Sequence, residues 1–139
     1  MKIGVVSGYF NPLHLGHLEY IAAAKKQCDH LIVIVNNDLQ VTVKGSVPFM
    51  DEKHRCAIIS ALRDVDEVWI SEDTDKTVCK TIGLIRQKFP DHDISFFNSG
   101  DRIVNVESSE VVLCKKLGIK YVAINLPKRY SSSELLRNL

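Results

Sequence analysis

Five short runs rich in β-branched and aromatic residues, each followed by a stretch with helical periodicity, constrain this chain more than any other feature. The runs are Lys2–Ser7, His30–Val35, Glu67–Ile70, Ile94–Phe97 and Lys120–Ile124. They are nearly continuous in apolar character, the pattern of strands covered on both faces of a parallel sheet. Between them, apolar positions recur at helical spacing. The first set is Leu15, Leu18, Ile21 and Ala22, with Pro12 near its start, and the second is Ala57, Ile58, Ala61 and Leu62. The third is Val78, Ile82, Ile85 and Phe89, halted by Pro90, and the fourth is Val111, Cys114 and Leu117, closed by Gly118 as a C-cap. A last helix is expected from Ser131, where Glu134 stands at capping-box spacing. Strand and helix alternating five times implies right-handed crossovers. The expected fold is one α/β domain over residues 1–139: a doubly wound, five-stranded parallel sheet of Rossmann-like type. Its ligand is expected at the C-terminal ends of the strands.

Charge balance narrows the partners. With 18 basic and 17 acidic residues the net charge is +1, so no global field draws in nucleic acid or an anionic membrane. Neither is expected as a partner, and any anion must be held by local clustering. The longest clean apolar run, Leu31 to Val35, falls far short of the roughly 20 residues of a membrane span. The N-terminus has the pattern of a strand and not of a secretion signal, which points to the cytoplasm. Cys28, Cys56, Cys79 and Cys114 lack metal-type spacing and are expected as reduced thiols beside the core. No protein-held metal is expected.

The segment Gly8-Tyr9-Phe10-Asn11-Pro12-Leu13-His14-Leu15-Gly16-His17 joins the first strand to the first helix. His14 and His17, three residues apart on a helix's first turn, share one face. Gly16 leaves the backbone open to a phosphate. Unpaired N–H groups and the positive dipole end favour an anion there. Neither G-x-G-x-x-G nor G-x-x-x-x-G-K-[ST] is present. The segment therefore reads as a nucleoside triphosphate site of a different kind.

His14-Leu15-Gly16-His17 resembles the H-x-G-H signature of the nucleotidylyltransferase superfamily. The fuller segment from Gly8 to Leu18 resembles its cytidylyltransferase-like branch, which includes glycerol-3-phosphate cytidylyltransferases and heptose-phosphate adenylyltransferases. The resemblance runs from Met1 to about Leu136. It implies that His14 and His17 contact the triphosphate and stabilise the leaving pyrophosphate, and that Lys44, in the loop Val43-Lys44-Gly45, binds phosphate. It further implies that Gly8, Tyr9, Phe10, Asn11 and Gly16 border the nucleotide, with Asn11 where Asp is common. Asp101 is expected near ribose and base, and Ser131, Ser132 and Ser133 around the β- and γ-phosphates. Arg55, Arg63, Arg102, Lys128 and Arg129 are expected on anionic groups of the substrates. Arg55 and Arg63 would lie about 12 Å apart along a helix, on different faces. One departure is the segment Leu126-Pro127-Lys128-Arg129-Tyr130, which stands where glycerol-3-phosphate enzymes carry Arg-Thr-x-Gly-Ile.

The implied reaction moves an NMP group from an NTP to a phosphorylated small alcohol or sugar, releasing pyrophosphate. The short single-domain architecture resembles that of glycerol-3-phosphate cytidylyltransferase, which implies CTP. The alternative is ATP-dependent transfer to a heptose-phosphate, pantetheine-phosphate, flavin or nicotinamide-mononucleotide type of acceptor. A phosphate monoester is mostly dianionic at pH 7, its second pKa being about 6, so the nucleophile needs no general base. The histidines are then stabilisers of charge and not proton acceptors. Mg²⁺ is expected to arrive with the triphosphate, and a homodimer is the family's usual state. A non-catalytic nucleotide-binding module is a different class of reading, against which the presence of both histidines argues. A tRNA synthetase is disfavoured by the lack of a Lys-Met-Ser-Lys-Ser-like loop.

Overall fold

A computed structural model describes residues 1–99 and 108–125. Their elements, in order, are β1 (Lys2–Gly8), α1 (Leu15–Lys25), β2 (His30–Val35), α2 (Asp38–Val43), α3 (Glu52–Ser60), β3 (Glu67–Ile70), α4 (Cys79–Lys88), β4 (Asp93–Ser99), α5 (Ser109–Lys116) and β5 (Lys120–Ile124). Asp101, Arg102, Lys128, Arg129, Ser131, Ser132, Ser133 and the expected last helix lie outside the described residues.

The five strands pair in the order β3-β2-β1-β4-β5, every pair parallel. The chain builds outward from β1 to β3 and then crosses back to β4 on the other side of β1. That reversal makes the doubly wound topology and puts the switch point, where such sheets bind ligands, between β1 and β4. In register, Gly8 lies opposite Val35, and Ser99 opposite Ile124. Since all the strands run the same way, β1, β2, β4 and β5 deliver the chain to one edge of the sheet.

Alternation along the strands explains their continuous apolar character. Ile3, Val5, Ile32, Ile34, Ile94 and Phe96 face one side and pack with Val78, Ile82 and Ile85 of α4 and its approach and with Cys114 of α5. Val6, Leu31, Val33, Val35 and Phe97 face the other, with Tyr20, Ile21 and Ala24 of α1 and Ile59 of α3. Neither face sees water, so neither set of alternate positions is polar. Gly4 sits on the α1 side, where a Cβ would lie 2.7 Å from both Cys28 Sγ and the Phe97 ring. The Tyr20 hydroxyl donates to the Phe97 carbonyl at 2.5 Å, tying α1 to β4.

Helix α5 ends as the sequence predicts. Gly118, at φ +69°, allows the Ile119 amide to reach back to the Cys114 carbonyl at 2.8 Å. The six-residue α2 is not foreseen by the sequence reading. The four cysteines are unpaired, Cys114 buried and the others partly so. Burial pushes the Cys114 thiol up to about 12. Among the described residues, no helix is long and apolar enough to cross a membrane.

Candidate active site

The loop leaving β1 folds back on itself before α1 begins. Phe10 takes a left-handed backbone conformation, φ +49°, uncommon for any residue but glycine. Its ring is buried and meets His17 edge-on, with centroids 4.9 Å apart. Gly8 makes room for this, because a Cβ there would stand 2.8 Å from the Phe10 ring.

Helix α1 is started by the two histidines. His14 is the N-cap, and its Nδ1 accepts the Gly16 amide at 3.1 Å. In return, the His14 amide donates to Nδ1 of His17 at 3.2 Å. The imidazoles stack, centroids 3.8 Å apart and planes 24° from parallel. This is a capping box built from imidazoles in place of the usual hydroxyl and carboxylate. It also assigns the tautomers. A ring nitrogen that accepts an amide carries no proton, so in each ring the hydrogen sits on Nε2. Burial, with repulsion from His14 and Lys44, lowers the His17 pKa to about 3, and burial lowers that of His14. At neutral pH both rings are therefore uncharged, with the proton on Nε2.

Lys44 joins them. It is the C-cap of α2, followed by Gly45 at φ +92°. The Gly45 amide donates to Thr42 O at 2.9 Å and the Ser46 amide to Val41 O at 3.1 Å, which makes a Schellman ending. Lys44 Nζ stands 4.3 Å from the centroid of the Tyr9 ring, and its charge is felt at His17. The structure thus brings together His14, His17, Lys44, Tyr9 and Phe10.

Three expected site residues are placed differently. Arg55 is fully buried, so it is no substrate ligand. Its Nε donates to Met50 O at 2.9 Å and Nη1 to Tyr9 O at 2.7 Å and Asn36 O at 2.6 Å, while Nη2 pairs with Asp38 at 2.7 Å. It clamps the β1 loop, the end of β2 and the start of α2 to one another. Asn11, also buried, spends its amide on the chain between α2 and α3. Its Nδ2 donates to Val47 O at 2.9 Å and its Oδ1 accepts the Phe49 amide at 2.6 Å. Arg63 is exposed in the turn after α3, next to Asp66, whose amide donates to Leu31 O at the start of β2. From Leu31 to Val35 the strand climbs about 13 Å, so Arg63 sits at the opposite edge of the sheet from His14. The crossover helix runs antiparallel to the strands and carries the chain there.

Sequence reasoning missed the carboxamides under α2. Asn37 caps the helix through Oδ1 to the Gln40 amide at 2.8 Å, and its Nδ2 donates to Ser71 O and Asp73 O at 2.8 and 2.9 Å. Buried Gln40 donates from Nε2 to Asp75 O and Thr77 O, each at 2.8 Å. Its Oε1 accepts from Asn36 Nδ2 at 3.1 Å and from the Asn37 amide at 3.0 Å. Buried Asp73 accepts from the Lys80 and Thr81 amides at 2.7 and 3.0 Å and supplies the cap that Val78 cannot give α4. The polar Asn36-Asn37-Asp38 step after an apolar strand was the available signal. Among the described residues, no group of three or more His, Cys, Asp or Glu is arranged to hold a metal ion.

Comparison with known proteins finds relatives over nearly the whole chain. A family model described as cytidylyltransferase-like matches residues 5–138. The FAD synthase of Methanosphaera stadtmanae is 32% identical, over 97% of this chain and 90% of its own length. The bifunctional protein HldE of Rhodospirillum rubrum is 32% identical over 100% of this chain but 27% of its own. The match spans about half, 54%, of the Thermoplasma volcanium FAD synthase, at 40% identity over 53% of this chain. In structure, a lipopolysaccharide core biosynthesis protein from Thermoplasma volcanium superposes with TM-score 0.72 and 28% identity, over 94% of this chain and 99% of that one.

Proposed function

Since this chain belongs to the cytidylyltransferase-like family, we propose that it is an adenylyltransferase, joining AMP from ATP to a phosphate monoester and releasing pyrophosphate. The observation that carries the reading is the imidazole capping box beside Lys44 at the ligand-binding edge of the sheet. Two fixed, neutral Nε2–H donors and one ammonium suit a polyphosphate whose charge grows on the leaving group. The preference for ATP over the CTP expected from chain length rests on the relatives. FAD contains an adenylyl group, and FAD synthases are among the proteins this chain resembles over most of their length.

In this mechanism the acceptor's phosphate oxygen attacks the α-phosphorus of ATP and pyrophosphate departs in line. The dianionic acceptor brings its own nucleophile. His14 and His17 donate hydrogen bonds to phosphate oxygens and neither gives up nor takes a proton. Lys44 adds a positive charge, and positioning supplies the rest. A divalent cation, Mg²⁺ in this reading, fits as the companion of the triphosphate, held mainly by its oxygens and water, because the described residues offer no carboxylate cage. It would offset phosphate charge. A cytoplasmic location and a homodimer complete the proposal, the first supported by reduced, unpaired cysteines and the second by the family resemblance.

The test is pyrophosphate release with ATP or CTP, Mg²⁺ and a panel of phosphate monoesters that includes flavin mononucleotide and sugar 1-phosphates. ATP-dependent release that a His17→Ala control lacks supports the reading. Release with CTP alone overturns the nucleotide, and no release beyond the control across the panel overturns catalysis.

A further inference from the structure

Helix α2 is only six residues long, Asp38–Val43, too short to hold together on its own in water. Yet it ends in Lys44, whose place decides whether the site has its ammonium. What fixes α2 is the pair of carboxamides beneath it. Gln40 is wholly buried, and its side chain uses both donors and both acceptor positions, two bonds to loop 71–77 and two back to the end of β2. Asn37 adds two more donations to the same loop. That loop is itself anchored, because Asp73 accepts from Ser71, Lys80 and Thr81. Through its backbone, Gln40 also accepts the Lys44 amide at 2.9 Å. An unbroken series of bonds thus runs from the start of α4, through loop 71–77 and Gln40, to Lys44.

We infer that Gln40, with Asn37, is a positioning residue that sets Lys44 in the anion site. This rests on the reading of Lys44, His14 and His17 as a polyphosphate site, and deepens it. Gln40 is fully buried and its side chain is bonded within the chain, so its influence on binding should pass through Lys44.

A double-mutant cycle tests this on the full chain, with affinity for inorganic tripolyphosphate and for ATP measured by calorimetry. Four proteins are compared: wild type, Gln40→Met, Lys44→Ala and the pair. Gln40→Met should weaken tripolyphosphate binding about five-fold in the wild-type background and less than two-fold once Lys44 is gone, the non-additivity expected of residues in one network. A residue that merely stabilised the fold would weaken binding equally in both backgrounds, and that result overturns the inference. Should Gln40→Met not fold, Asn37→Ser serves, because serine keeps the N-cap oxygen while removing both donations to loop 71–77; the same pattern is required of it. A wild-type protein that binds neither tripolyphosphate nor ATP overturns the polyphosphate reading and the inference with it. Binding with additive losses overturns the inference alone.

Discussion

His14 carries two jobs on two nitrogens, and substitution can separate them. Nδ1 caps α1 by accepting the Gly16 amide, and Nε2–H is the donor that the proposed function assigns to the phosphates. His14→Ala removes both. Loss of an N-cap costs about 1 kcal/mol, and the lost stacking on His17, at 3.8 Å, adds roughly 0.5 kcal/mol. Unfolding entropy of about 2.1 cal/mol/K per residue, taken over 139 residues, makes 1 kcal/mol worth roughly 3 °C, so His14→Ala should melt about 5 °C lower. His14→Asn behaves differently. Asparagine is among the best N-caps, so most of the melting temperature should return, to within about 2 °C of wild type. Its amide does not reach where Nε2–H does, so turnover should stay down by about 10²–10³, the loss seen when one preorganised donor is deleted. Thermal unfolding and pyrophosphate release on the three proteins settle the matter. An asparagine variant that keeps more than roughly a tenth of the wild-type turnover would refute the donor role. Equal melting temperatures for the alanine variant and wild type would refute the cap.

Three further outcomes are expected. Folded His17 takes a proton only near pH 3, whereas the unfolded chain takes it near 6.5, so stability is complete above pH 6.5 and declines as pH falls towards 3. By pH 4.5 this costs about 2–3 kcal/mol. Urea unfolding at pH 7 and 4.5 should show the decline in wild type and a shallower one in His17→Asn; identical slopes would contradict it. Arg55→Met should destabilise by at least about 3 kcal/mol, because it strands Asp38 and three carbonyls. Arg63→Ala should stay within about 0.5 kcal/mol of wild type and leave ATP affinity unchanged by calorimetry, and a marked loss of affinity would place Arg63 at the site after all.

The fold was legible because a sheet buried on both faces writes itself as unbroken apolar runs. All five strands lie where those runs predict, though β4 extends from Ile94–Phe97 to Asp93–Ser99. Its added residues are polar, and a hydropathy pattern stops at them even when the backbone ladder continues. Helix α2 was not legible. Its sequence, Asp-Leu-Gln-Val-Thr-Val, contains three β-branched residues and spans less than two turns. It is helical because buried carboxamides reach into loop 71–77, and the only local trace is the polar Asn36-Asn37-Asp38 step with Gln40 at capping-box spacing from Asn37. The histidine pair was legible from its spacing together with Gly16, Pro12 and the strand before it, and from its resemblance to the H-x-G-H signature. Arg55 and Asn11 were not, because their roles depend on partners from other segments, Asn36 and Asp38 for one, Val47 and Phe49 for the other. Arg63 was misjudged because distance along a helix was counted without its direction.

The way α1 begins has an evolutionary edge. In most proteins the group that launches a helix and the group that acts on a ligand are different residues, and either can be exchanged while the other endures. In the proposed function they are the same ring, so a descendant released from turnover could not shed this imidazole without loosening the first helix, unless asparagine, aspartate, serine or threonine took its place. A relative of this chain carrying one of those four at position 14 would mark a lineage that abandoned the reaction and kept the architecture.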